Sequence, residues 1–302
     1  MTAATVGSGM GSAAAGEFVR PDPSGGGRSR HRRECGCGTG GRQRDGLVTG
    51  TDGVVAARVA PPSTLSPSWW VHDFPMKAGV LHATGQISAD EVAAPGTVTP
   101  SDALVRVVAA GICGSDLWGY RGVTAEQERR IGHEFVGVIE ELGSEVEGLS
   151  AGQLVIAPFL WSCGKCPHCV AGWTTPCLTG GGYGANDRDG HLVDGGQGQY
   201  VRLPQTTETL VPVPADEHDE RMAAVLSLSD VMGTGHHAAL SAGVGPRSTV
   251  AVIGDGAVGP CAVLAGTLDP SRVFTSSVEL SEIAIGDDDL DRRRSLKVLV
   301  RP

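Results

Sequence analysis

Four cysteines packed between Cys163 and Cys177 limit what this chain can fold into more than any other feature. Their spacing is Cys163-x-x-Cys166-x-x-Cys169-x(7)-Cys177. Two-residue gaps let neighbouring sulfurs converge on one ion without long loops, and four thiolates complete a tetrahedral, closed zinc site of the structural kind. The competing readings are a disulfide framework or four unrelated thiols. The chain has 8 cysteines, unevenly placed, which fits a metal site in a reducing compartment better than the even pattern of a small secreted scaffold. His168 falls inside the loop but finds the coordination shell already filled. Cys35 and Cys37 sit in a Gly/Arg-rich stretch without a partner motif, and Cys261 reads as a small buried apolar residue.

A net charge of −10 argues against a general nucleic-acid binder, which needs a surplus of Lys and Arg. No apolar run approaches the roughly 20 residues that cross a bilayer. The N-terminus carries no apolar core beside a cleavage-like site, so a cytoplasmic location is expected.

Residues 1–75 have no hydrophobic period and are expected to form a disordered extension. Arg28, Arg30, Arg32 and Arg33 make a local basic patch there, read as a solvated tail or a mis-assigned start codon in preference to a targeting or nucleic-acid arm. Met76 opens the first orderly segment and is a plausible start. From there short runs rich in β-branched residues alternate with Gly/Pro turns, at residues 103–108, 135–139, 154–158 and 200–203. That pattern predicts a β-barrel-like domain over residues 76–247, with a helix near residues 221–228. At Ser248 the character changes. Residues 249–253, Thr-Val-Ala-Val-Ile, read as a buried strand running into Gly254-Asp255-Gly256-Ala257-Val258-Gly259.

With these motifs in place, the chain resembles a zinc-containing medium-chain alcohol dehydrogenase from about Met76 to Ala265. Gly111-Ile112-Cys113-Gly114-Ser115-Asp116 resembles the segment that supplies the first catalytic zinc ligand. Gly132-His133-Glu134-Phe135-Val136-Gly137 resembles the segment supplying the second, with Glu134 as an adjacent carboxylate. Asp230, four residues before Thr234-Gly235, matches the third. The resemblance implies an α/β protein with a GroES-like β-barrel catalytic domain and a Rossmann-like segment. It implies two Zn2+ ions, one structural and one catalytic, the latter on Cys113, His133 and Asp230 with a fourth position open. It also implies a small alcohol or aldehyde substrate, with NAD or NADP as hydride acceptor. Ser115 matches the hydroxyl that passes the substrate proton onward, and Thr234 a position beside the nicotinamide. The family's outer relay histidine is replaced by Trp118, so that step falls to water. His236 and His237 are expected at core or helix positions, although His237 fits the family pattern.

Gly254 and Gly256 match the glycines that let backbone approach a pyrophosphate, and Gly259 the one that allows close helix packing. Glu279 lies where an acid for the ribose hydroxyls is expected, with residues 272–275 as a second strand leading to it. Residues 270–274 and 295–302, however, resemble the family's C-terminal tail, which returns to the catalytic domain. A nucleotide fold needs two βαβαβ halves, at roughly 30 residues per βαβ unit. The chain beyond Ser248 is too short for both halves and a tail. The expected organisation is a remnant at 248–265 and a returning tail at 266–302, with the remnant's apolar surface exposed and little or no cofactor binding. The alternative function is a non-enzymatic zinc-binding remnant. Homo-oligomer formation stays open, because subunits of the family associate through the domain that is reduced here.

Overall fold

Runs of β-branched and small residues in the first half of the chain form paired strands around a main apolar core, with smaller clusters at Ala109, Val136 and Ile156 and at Met76 and Ala78. The computed structural model describes residues 74–124, 128–245, 248–264 and 273–302. The extension expected at residues 1–75 therefore lies, up to residue 73, outside the described residues, as do Cys35, Cys37, the basic patch and the junction at 265–272.

Strand β1 (Pro75–Ala83) turns at Gly85, whose φ is 71°, into antiparallel β2 (Gln86–Ala93). There follow the long strand β3 (Ala103–Ile112), helix α1 (Asp116–Tyr120), β4 (Arg129–Arg130), β5 (Glu134–Leu142) and β6 (Leu154–Ala157). A long loop carrying α2 (Pro167–Val170) leads to the small hairpin of β7 (Ala185–Asn186) and β8 (Leu192–Val193). Strand β9 (Tyr200–Leu203), the single turn α3 (Thr206–Thr209) and β10 (Val211–Pro212) complete this part. The four runs read as strands thus fall on β3, β5, β6 and β9.

Strand β3 organises the larger sheet. Strand β5 pairs along nearly its whole length on one side, while on the other β9 pairs with residues 103–106. Strands β1, β2 and β4 form a second sheet, tied to the rest by a bridge between Ala78 and Gly198. Leu81 and Ile87 from the smaller sheet share a core with Val105, Ile112, Phe135 and Val201 from the larger. Burying each such side chain contributes about 1.5–3 kcal/mol, so the barrel-like part has an ample core of its own.

Helices α4 (Met222–Ser227), α5 (Val231–Ser241) and α6 (Val258–Leu264) come next, with α4 over the predicted helical stretch. Between α5 and α6 the structure departs from expectation. Residues 249–253 form no strand, and Val250 and Ile253 are 38% and 67% exposed. A buried strand needs neighbours to take its N–H and C=O groups; with none beside it among the described residues, the run stays irregular. Helix α6 persists because α5 covers one side of it. A Cβ at Gly235 would lie 2.6 Å from the Ala262 amide nitrogen, and Cys261 is fully buried at this contact. His236 and His237 lie on α5 and are exposed rather than in a core.

The C-terminal segment consists of β11 (Ser276–Glu279), α7 (Ile283–Asp291) and β12 (Val298–Arg301). Strand β12 runs parallel to β11 and antiparallel to residues 110–112 of β3. The tail is thus a strand of the larger sheet, next to the end of β3 that carries Cys113. The second strand read at residues 272–275 is displaced: Val273 to Thr275 form no strand, and β11 starts at Ser276. Glu279 ends β11, where its carboxylate lies 3.9 Å from Arg301 on β12. No helix among the described residues is long and apolar enough to cross a membrane.

Candidate metal centres

The four-cysteine loop closes on itself. Its base is pinned by backbone hydrogen bonds between Trp161 and Gly181 at 3.0 and 3.1 Å. Pro167 takes the first position of α2, where its missing N–H costs nothing, and turns Cys166 and Cys169 toward the same point. The Sγ atoms of Cys166 and Cys169 are 3.6 Å apart, Cys166 and Cys177 3.9 Å, and Cys163 and Cys177 3.5 Å. A zinc tetrahedron with bonds of about 2.3 Å requires sulfurs about 3.8 Å apart, so the four fit that ion. None is in a disulfide. Burial opposes charge on Cys177, but N–H groups of Cys163 and Thr179 outweigh it and bring that thiol down to about 7. Burial, with Cys166 and Cys177 as neighbours, pushes Cys169 up to about 12. Thiols so close cannot all ionise without a cation between them. His168 points away, its Nδ1 2.6 Å from the Pro176 carbonyl oxygen.

The second cluster draws on three separate stretches. Cys113 follows the end of β3, His133 follows the turn after β4, and Asp230 stands at the head of α5. Their ligand atoms, with one from Glu134, lie within 4.8 Å of one another. Cys113 Sγ is 3.5 Å and His133 Nε2 3.6 Å from Asp230 Oδ2, again the separations of donors about one tetrahedral ion. Gly132 makes the turn possible. Its φ is 99°, and a Cβ there would sit 2.5 Å from the Gln197 amide nitrogen.

Asp116 orients this cluster, a function that sequence reasoning missed. One of its oxygens is 3.2 Å from His133 Nδ1; the other accepts from Cys113 N at 2.9 Å and Gln197 Nε2 at 3.1 Å. Fixing Nδ1 leaves Nε2 to face Asp230. Burial works against charge on His133, yet Asp116 and Asp230 hold its pKa well above the usual range. Burial also opposes charge on Asp230, but His133 brings its carboxyl down to about 2. Such a concentration of negative charge suits a cation.

Lys297, also missed, pairs with Glu134 from just before β12; both are 1% exposed at the side chain. The signal was a lone Lys opening an apolar run. Thr234 Oγ1 donates to Asp230 Oδ1 at 2.9 Å, so it buttresses a ligand. Ser115 Oγ is 3.3 Å from His133 Nε2. Both Ser115 and His133 line a cavity of about 210 Å3, whose wall also includes Trp118, Thr124 and Arg129.

The glycine loop keeps part of its expected geometry. Gly254 has a φ of 116°, and the missing Cβ of Gly259 lets the Gly254 carbonyl oxygen pack against it. Gly256 lies exposed between them.

The alcohol dehydrogenase GroES-like domain matches residues 99–215. Over this stretch the chain carries that domain and is similar to zinc-type alcohol dehydrogenases. A glutathione-independent formaldehyde dehydrogenase of Pseudomonas aeruginosa is 38% identical over 200 residues, covering 60% of this chain and 50% of that protein. A zinc-type alcohol dehydrogenase of Aspergillus flavus is 34% identical, over 63% of this chain and 44% of its own length. The chain thus spans about half the length of these relatives. Among solved structures, an alcohol dehydrogenase of Thermus sp. ATN1 shares the fold with a TM-score of 0.67 at 24% identity. That match covers 75% of this chain and 99% of the Thermus chain. A zinc-dependent alcohol dehydrogenase from Streptococcus pneumonia matches with a TM-score of 0.54 at 28% identity, over 72% of this chain and 63% of its own.

Proposed function

We propose that this chain is a zinc-dependent alcohol or aldehyde oxidoreductase by descent, built to hold two Zn2+ ions and to exchange hydride with NAD or NADP. The observation that carries this reading is the convergence of Cys113, His133 and Asp230, from three distant stretches, at the separations one ion requires. On this reading Cys163, Cys166, Cys169 and Cys177 hold the structural ion, and the three mixed donors hold the catalytic one with a position left for substrate. Zinc there supplies polarisation of the substrate oxygen, which eases loss of its proton or attack on its carbonyl.

The chain's own groups do the rest. Ser115 Oγ, beside His133, takes the hydroxyl proton and passes it to water, since Trp118 stands where a second relay group would. Asp116 and Thr234 hold His133 and Asp230 in place. Glu134, neutralised by Lys297, keeps a carboxylate near the second cluster without adding net charge. Gly254, Gly256 and Gly259 would face the pyrophosphate.

The domain organisation belongs to the same proposal, with a catalytic domain at 76–247, a dinucleotide-binding remnant at 248–265 and a tail at 266–302. A likeness that reaches nearly all of the Thermus chain while this chain spans half of its curated relatives supports an internal gap. The second reading, a non-enzymatic zinc-binding remnant in the cytoplasm, is favoured by one observation: among the described residues, 249–253 have no strand to pair with.

Titration of the zinc-loaded protein with NADH, followed by nicotinamide fluorescence, separates the two. Saturable binding together with alcohol-dependent NAD(P)H production supports an enzyme. A protein that holds both ions, binds no NADH and turns over no alcohol is the remnant.

A further inference from the structure

The run between α5 and α6 has the side-chain pattern of a strand and none of its hydrogen bonds. Val250 and Val252 line an apolar cavity of about 210 Å3 together with Ala238 and Ala242 of α5 and Val263 of α6. Ala251 and Ile253 are exposed. That alternation is the period of an extended strand. Among the described residues, no backbone N–H or C=O group of residues 250–253 takes part in a hydrogen bond.

An uncharged run with open edges is a template for pairing with another strand. Residues 249–254 carry no charge, and Thr249, Val250, Val252 and Ile253 are β-branched, the kind of residue that fits a paired strand best. Every strand named above already belongs to a sheet elsewhere in the chain. A second copy brings the same unmet run, so one contact satisfies both chains, whereas any other partner satisfies one. A two-fold axis is the symmetry that closes such a contact. With the axis at Ala251, antiparallel pairing sets Val250 opposite Val252 of the second copy on the helix-covered face, and Thr249 opposite Ile253 on the open face. The two Asp255 carboxylates then fall at opposite ends. Parallel pairing in register would instead stack one Asp255 on the other.

We infer that two copies of this chain associate as a closed dimer, through antiparallel pairing of residues 249–253 about a two-fold axis at Ala251. The inference is independent of the zinc chemistry, since none of these residues belongs to either cysteine-containing cluster.

The test is sedimentation velocity of the full zinc-loaded chain, joined to cross-linking by diamide, which oxidises two neighbouring thiols to a disulfide. The wild type is expected to sediment as a dimer. In Ala251→Cys the opposed Cα atoms lie about 4.5–5.5 Å apart, a span that a disulfide bridges. In Asp255→Cys they lie about 25 Å apart, so at least about tenfold less cross-linked dimer is expected there. Thr249→Glu with Ile253→Glu sets like charges opposite each other at exposed positions and should give a monomer, as should the matching pair of Lys substitutions. Mixing the Glu and Lys variants should restore a dimer, and unchanged zinc content shows that both are folded. A monomeric wild type, as expected if another segment of this chain covers the run, overturns the inference. Open-ended aggregates without a dimer overturn it too. So do equal cross-linking of the two Cys variants, a Glu variant that stays dimeric, and a Glu/Lys mixture that stays monomeric.

Discussion

Lys297 and Glu134 are both almost fully buried, and the ammonium lies against the carboxylate, so each is a charge whose burial depends on the other. Removing one partner leaves an uncompensated buried charge, which typically costs about 3–5 kcal/mol. Lys297→Met should lower the unfolding free energy from urea titration by that amount, and adding Glu134→Gln should restore most of it. A double variant no more stable than the single one would show that the pair is not coupled. Asp287 on α7 is a different case: it is 0% exposed, neither carboxyl oxygen has a hydrogen-bond partner, and burial with Asp116 nearby pushes it up to about 8. Because the folded value is raised, the folded state keeps a proton that the unfolded chain gives up. Stability is then fully present below about pH 4 and falls as pH rises toward about 8, with a total loss on the order of 5 kcal/mol. Asp287→Asn should remove that slope, so that variant and wild type converge in acid and diverge up to about pH 8. Parallel pH–stability curves would contradict the assignment.

The strands were legible where their pattern is local. Residues 103–108 and 135–139 are rich in β-branched residues, and they form β3 and β5 with each as the other's neighbour. The run at 249–253 has the same character and forms no strand, because a local pattern says nothing about whether neighbours exist to pair with it. Helix α7 was not anticipated: Gly286 interrupts its apolar stripe and three successive Asp residues crowd its C-terminal half, where the helix dipole disfavours them. Arg292 and Arg294 offset that by pairing with Asp288 and Asp289, contacts visible only once the helix is folded. The turn at Gly132 is the element on which the second cluster depends. Gly132→Ala places a Cβ against Gln197 at a φ of 99° and should displace His133. The expected outcome is loss of one zinc of two, with the four-cysteine ion retained. A variant that keeps both ions would show the turn to be tolerant.

At the scale of the molecule, the sheet built on β3 carries the strand Val298–Arg301 and flanks Cys113 and His133 of the second cluster, whereas α5, which brings Asp230, α6 and the irregular run between them expose Leu240, Ile253 and Val263. That contrast predicts a protein whose barrel is stable and whose apolar face drives association. Ile253→Lys with Val263→Lys should reduce aggregation in light scattering and leave the unfolding free energy within about 0.5 kcal/mol. The four-cysteine site could be read from spacing alone because its ligands are close in sequence. Cys113, His133 and Asp230 are far apart, so only the family resemblance pointed to them. Asp116 and Lys297 escaped notice because their roles exist only in three dimensions. The central claim, two separate zinc centres in one chain, is tested most directly by elemental analysis of the purified protein and of Cys113→Ser. Two zinc ions per wild-type chain and one per variant chain are predicted. A wild type holding a single ion, or a variant that still holds two, would contradict it.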